Sequence, residues 1–182
     1  RDHHERADEH QVVEEAARQW GVDRVILIPD EFLARNVAFQ TKVGIIAWKG
    51  RCEVHEQFTV DDINRVRAQF PDVVILAHPE CSPEVVAASD FSGSTNTMIR
   101  YVERTKAPRY LLLTECSMGE NVAAANPDKE MLRLCMVRCP HMNQISLHMT
   151  RDALRDVQYV VDVPEEIRVR AAQAVQRMIA IG

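Results

Sequence analysis

Four short apolar runs constrain this chain more than any other feature, because each ends abruptly on a cluster of reactive side chains. Val25–Ile28 leads into Pro29-Asp30-Glu31, and Gly44–Trp48 into Lys49-Gly50-Arg51-Cys52-Glu53-Val54-His55. Val73–Ala77 leads into His78-Pro79-Glu80-Cys81, and Tyr110–Leu113 into Thr114-Glu115-Cys116. Apolar runs of this length, separated by helical stretches, read as buried parallel strands. Open parallel sheets bind ligands beyond the carboxyl ends of their strands, which is where the polar clusters fall. The pattern predicts an α/β protein with a mostly parallel sheet, or two such sheets, and places a site on one edge.

Bulk properties narrow the function classes. A net charge of −5 over 182 residues, with no basic stripe carrying interleaved aromatics, gives no electrostatic case for nucleic acid. No apolar run approaches a membrane span, and no signal-peptide pattern opens the chain. The five cysteines are odd in number and irregularly spaced, which argues against a disulfide framework and for a reducing compartment with metal or thiol chemistry. The chain opens at Arg1 on a charged stretch with no partner strand, as expected of a piece of a longer protein.

Between the strands, helical spacing predicts helices at Asp8–Trp20, with Gly21 as its stop, and at Glu31–Phe39. Thr59 and Asp62 form a capping-box pattern opening a helix through Phe70, and Ser82-Pro83 an N-cap with proline in the first turn. Asp90–Thr97 reads as a turn that starts a helix carrying Met98, Ile99, Tyr101 and Val102. A polar loop is expected from Thr114 through Lys129. A helix near Thr150–Val157, a short strand at Tyr159–Val163 and a closing helix from Pro164 follow.

The clusters carry different chemistry. Cys52, near Lys49 and Arg51, can have a lowered pKa and serve as nucleophile or metal ligand, or simply pack as a thiol. His78 and Glu80 can supply an acid and a base, against the alternative of a structural histidine. Ser92-Gly93-Ser94-Thr95 at a helix start suits a phosphate or carboxylate, or is an ordinary N-cap. Cys135 and Cys139 lack C-x-x-C spacing; Cys139-Pro140 has the form of an iron–sulfur ligand loop, while packing is expected of Cys116 and Cys135.

Taken in order, these residues resemble the quinolinate synthase A family of pyridine-ring formation in NAD biosynthesis. The resemblance rests on Pro29-Asp30-x-x-Leu33, Trp48-x-Gly50-x-Cys52-x-Val54-His55, His78-Pro79-Glu80, Gly93-Ser94-Thr95, Thr114-Glu115, Cys139-Pro140-His141-Met142 and Arg177-Met178. It implies three-layer αβα units with short parallel sheets, set about a pseudo-threefold axis in the full-length family. Residues 1–52 would then be the remainder of the middle unit, 53–139 the C-terminal unit, and 140–182 an extension with a closing helix. It also implies a [4Fe-4S] cluster with Cys52 and Cys139 as ligands and the third cysteine outside this chain, so that the chain alone is not a competent enzyme. The implied reaction condenses iminoaspartate with dihydroxyacetone phosphate to quinolinate, with an iron of the cluster as Lewis acid. Glu80 would act as general acid/base, His78 would orient substrate or shuttle protons, Pro79 would belong to the same substrate loop, and Ser94 and Thr95 would contact a substrate anion. Cys81 and Cys116 match no ligand position. A cytoplasmic location, association with L-aspartate oxidase or dehydrogenase, and no membrane or nucleic-acid partner complete the picture. The competing expectation is a non-catalytic thiol or zinc module built on Cys52, Cys81, Cys116 and Cys139.

Overall fold

The structure, a computed structural model, describes residues 9–132, 134 and 137–181. The chain divides into two compact units, one spanning Asp8–Cys139 and the other containing the residues from Pro140 onward.

In the first unit, strand and helix alternate as α1 (Glu9–Trp20), β1 (Arg24–Leu27), α2 (Glu31–Ala38) and β2 (Gly44–Ala47), followed by a 3-10 turn at His55–Gln57. Then come α3 (Val60–Gln69), β3 (Val74–Ala77), α4 (Pro83–Ala88), β4 (Phe91–Ser92), α5 (Thr95–Arg104), β5 (Arg109–Leu113), α6 (Cys116–Ala125) and β6 (Glu130–Leu132). Local chemistry fixes several helix starts. Asp30 caps α2 through Leu33 N, and Ser82 with Pro83 opens α4. The capping box forms as expected: Thr59 Oγ1 accepts from Asp62 N, and Asp62 Oδ2 accepts from Thr59 N at 2.9 Å. Gly21 ends α1 with φ 65°, a conformation that costs glycine little.

All strand pairs are parallel, in a 2-stranded sheet β1-β2 and a 4-stranded sheet ordered β4-β3-β5-β6. Alternation along β3 and β5 divides the larger sheet into two faces. Ile75, Ala77, Leu111 and Leu113 pack with Ile63 of α3 and Val85 of α4. Leu76, Tyr110 and Leu112 pack on the opposite side with Met98 and Val102 of α5 and Val122 of α6. Helices therefore cover both faces, which is the αβα arrangement. The core sits on β3 and β5, where Ile75, Leu76, Leu111 and Leu113 are fully buried, and each such side chain contributes about 1.5–3 kcal/mol.

The structure departs from the sequence pattern in four places. The first two apolar runs are not buried on both sides: α1 and α2 pack on β1 and β2, but Ile26 and Ile46, paired in register, stand exposed. The polar loop expected after Thr114 is the helix α6. Its start is held by the Glu115 carboxylate, which accepts from Ser117 N at 2.7 Å, and Met118, Val122 and Ala123 pack beneath it. The turn at Asp90–Thr97 contains the edge strand β4, aligned because Asp90 Oδ2 accepts from Ile75 N at 2.8 Å and Asp90 N donates to Ile75 O. The strand expected at Tyr159–Val163 does not form.

The second unit holds a 3-10 turn at Met142–Gln144, then α7 (Leu147–Asp156) and α8 (Glu165–Ile181). Ser146 caps α7 at Met149 N. Val157 closes α7 in the left-handed region at φ 51°, unusual for a β-branched residue. Tyr159 at φ 61° turns the backbone away from an extended path. No helix among the described residues is long and apolar enough to cross a membrane.

Candidate active site at the strand ends

The turn beyond β2 is built around Asp30 and Gly50. Glu31 N donates to Gly50 O at 2.8 Å, and a Cβ on Gly50 would lie 2.4 Å from Pro29 O, so only glycine permits this approach. Buried Asp30 uses both carboxylate oxygens: Oδ1 accepts from Leu33 N at the start of α2, and Oδ2 accepts from Cys52 N at 2.8 Å. One side chain thus caps a helix and fixes the cysteine. Cys52 O then accepts from Glu56 N, launching the short turn that carries His55 inward.

Buried His55 is the centre of the cluster. Its Nδ1 lies 2.9 Å from Glu80 Oε2, its Nε2 lies 3.0 Å from Thr114 Oγ1, and its ring stacks on His78 at 4.2 Å between centroids. The Cys52, His55 and Glu80 ligand atoms all lie within 4.8 Å of one another. The His78–Cys81 turn is tied to the sheet by His78 N donating to Leu113 O. It is tied to α2 by the Asn36 amide, which donates to Pro79 O at 2.7 Å and Cys81 O at 2.9 Å.

Electrostatics separate the groups. The hydrogen bond from His55 outweighs burial and holds the Glu80 carboxyl below its ordinary value, with both imidazoles adding to the effect. Burial pushes His78 down to about 4, neighbouring His55 pushes it further, and Glu80 opposes them without prevailing. At neutral pH His78 is therefore uncharged. Its Nδ1 accepts Glu80 N–H at 3.3 Å, which leaves Nε2 as the donor.

The Cys52 thiol is shifted upward, chiefly by burial and further by Glu80, although backbone N–H groups of His55 and Val54 oppose this. That corrects the expectation of a cysteine activated by Lys49 and Arg51. Arg51 instead pairs with Glu31 at 3.3 Å and lies over the Phe32 ring.

The four-cysteine zinc module is also overturned. Cys81 is buried and donates to Leu113 O, and burial pushes its thiol up to about 12. Cys116 is disulfide-bonded, against the expectation of a packed free thiol. Cys135, expected to pack, falls outside the described residues. Cys52 and Cys139 pack against the same core cluster, though Cys139 is not among the three side chains whose ligand atoms converge.

Gly93 N donates to Ala77 O, so the start of α5 lies beyond the same strand end as His78. There Ser94 is the N-cap residue but makes no side-chain bond to the helix backbone. Its hydroxyl meets Thr97 Oγ1 at 2.9 Å, and Thr95 is the first helical residue.

Sequence reasoning assigned no role to His55, Thr114 or the Asp30 carboxylate. A signal existed for the first two: each sits just past a strand end, and His55 lies three residues after Cys52.

Fold and site together define an α/β protein whose thiol, imidazoles and carboxylate converge at the carboxyl ends of parallel strands. The chain belongs to the family described as quinolinate synthetase A protein, whose model matches residues 7–180. It is 56% identical over 161 residues to quinolinate synthase 2 of Mesorhizobium japonicum, covering 88% of this chain and 49% of that protein. Quinolinate synthase of Caulobacter vibrioides is 54% identical over 169 residues, with 93% and 46% covered. That of Agrobacterium fabrum is 53% identical over 161 residues, with 88% and 46% covered. The chain spans about half the length of these curated relatives.

Proposed function

We propose that this chain supplies part of the active site of a quinolinate synthase, condensing iminoaspartate with dihydroxyacetone phosphate, with loss of phosphate and water, in NAD biosynthesis. The observation that carries the reading is the His55–Glu80–His78 arrangement beside Cys52, found in a chain of this family. Glu80, an ionised carboxylate braced by His55, accepts a proton from substrate carbon or hydroxyl and returns it to a departing hydroxyl. Neutral His78 donates from Nε2 to a substrate oxygen and holds it against the carboxylate. Pro79 keeps the turn between them short, and its carbonyl is fixed by Asn36. Ser94 and Thr95, at the positive end of α5, offer hydroxyls and N–H groups to a substrate phosphate or carboxylate.

The donor chemistry fits an iron–sulfur cluster: the Cys52 and Cys139 side chains pack on one core, and they would hold a [4Fe-4S] cluster with a third ligand from elsewhere. Bound there, the cluster would supply a Lewis-acidic iron for a substrate oxygen. A cytoplasmic location suits thiols that must stay reduced to hold a cluster. Iminoaspartate, a reactive imine, would come from an L-aspartate oxidase or dehydrogenase in association with the synthase.

The test uses anaerobically purified protein that includes this sequence. Cys52→Ser or Cys139→Ser should abolish the cluster's visible absorption. Glu80→Gln should retain the absorption while quinolinate formation falls about 100-fold or more. Normal cluster loading in either cysteine variant removes the ligand assignment, and wild-type turnover in Glu80→Gln removes Glu80 from the chemistry.

A further inference from the structure

His78 and Cys81 are the ends of a tight turn, closed by Cys81 N donating to His78 O at 2.9 Å. A bond of that kind fixes the ends of a turn and leaves its central peptide free to rock. Here the central peptide joins Pro79 to Glu80, and it is held at both of its polar ends. Its carbonyl, Pro79 O, accepts from the Asn36 amide at 2.7 Å, and its N–H, on Glu80, donates to His78 Nδ1 at 3.3 Å. We propose that Asn36 is a positioning residue for the reaction, acting through this peptide plane to set the Glu80 carboxylate and the His78 tautomer together. The inference rests on the roles given above to Glu80 and His78.

The amide is suited to this. Asn36 is buried, and the two groups it meets, Pro79 O at 2.7 Å and Cys81 O at 2.9 Å, can only accept. The amide nitrogen must therefore face them, and both of its hydrogens are engaged, one on each side of Glu80. The remaining backbone donors of the turn are satisfied within the sheet and the turn itself. His78 N donates to Leu113 O, Cys81 N donates to His78 O, and proline has no N–H. Only the Glu80 N–H goes to a side chain, and that side chain is one of the two groups assigned to the chemistry.

A ring nitrogen that accepts an N–H carries no proton, so this bond holds His78 with Nδ1 bare and Nε2 as its donor. Rocking the peptide plane would draw the N–H off Nδ1, let the other tautomer form, and turn the Glu80 side chain with its backbone. Helix α2 is a firm anchor against that motion. Its start is capped by Asp30, and Ala34, Asn36 and Val37 are buried along it. A residue 43 positions away in the chain thus acts on proton placement in the site without being one of the groups that exchange protons.

The test compares two variants in anaerobically purified protein that includes this sequence. Asn36→Leu keeps nearly the same shape and donates nothing, whereas Asn36→Ala leaves room for a water that can bridge the two carbonyls. In Asn36→Leu kcat should fall about 100-fold, with the KM for dihydroxyacetone phosphate within about twofold of wild type. In Asn36→Ala the fall should be about tenfold. A residue that merely fills space gives the opposite order, because alanine leaves the cavity and leucine does not. The second readout needs no turnover. In the cluster-free protein carrying isotope-labelled histidine, nitrogen NMR should show the His78 ring with a bare Nδ1 and a protonated Nε2, and in Asn36→Leu a mixture of both tautomers. His78→Gln identifies those signals. Should Asn36→Leu not fold by circular dichroism, Asn36→Ala decides by the same two measurements. Wild-type kcat or an unchanged His78 ring in the folded variant overturns the proposal, as does a greater loss in Asn36→Ala than in Asn36→Leu. Wild-type turnover in Glu80→Gln would instead fault the role given to Glu80, and the ring signals report the Asn36 clamp independently of it.

Discussion

At the scale of single residues, Asp30 shows how much one buried carboxylate can organise. It satisfies a helix N–H and the Cys52 N–H together, and burial leaves neither donor an easy alternative in water. Asp30→Ala should therefore cost more than an ordinary N-cap, about 2–4 kcal/mol, read from the urea midpoint at constant m-value. A loss below about 1 kcal/mol would falsify the double role. Residue types and their order marked out Cys52, His78 and Glu80, and geometry brings Cys52 and Glu80 within 4.8 Å of His55. The contacts through which Asp30, His55 and Thr114 act were illegible for a physical reason. Each acts through a contact with a residue distant in sequence (22, 25 and 59 positions away), and spacing along the chain carries no trace of such contacts.

Among the elements, α3 offers the clearest test of local coding. Burial tends to raise the Asp62 carboxyl, but the Thr59 hydroxyl and N–H, together with Arg65, outweigh it and hold the group below its ordinary value. A carboxyl depressed in the folded state adds stability above its unfolded value of about 3.9, and that stability is lost as the pH falls through the lower folded value. Thr59→Ala should destabilise the unit by about 1 kcal/mol at neutral pH. The deficit should shrink toward pH 2–3, as Asp62 protonates in wild type as well. Urea melts at the two pH values would show it, and a deficit that grows on acidification contradicts the cap. The elements with such signals, α3 and α4, were legible in advance. By contrast α6 was not, because Gly119 and its polar neighbours mask a helix whose support comes from Met118, Val122 and Ala123 packing on the sheet. Strand β4 is only two residues long and exists through Asp90, which no periodicity can register.

For the whole molecule, the two sheets differ in kind. The larger is covered on both faces, whereas β1–β2 presents Ile26, Ile28, Ile46 and Trp48 to the exterior. Parallel sheets are ordinarily covered on both sides, so this face should attract apolar ligands. The isolated chain should bind a hydrophobic dye, and Ile26→Lys with Ile46→Lys should remove most of the added fluorescence; unchanged binding would place the apolar surface elsewhere. The hydrophobic pattern marked these strands correctly but could not show which of their faces would be covered.

Between the two sheets, α2 touches both halves of the site. Its capping Asp30 grips the Cys52 turn, and Asn36, on its second turn, grips the turn of Pro79 and Cys81. The helix is therefore a gauge block: its 1.5 Å rise per residue sets the gap between thiol and carboxylate, and a one-residue insertion between these two grips would mis-set it without altering any group that does chemistry.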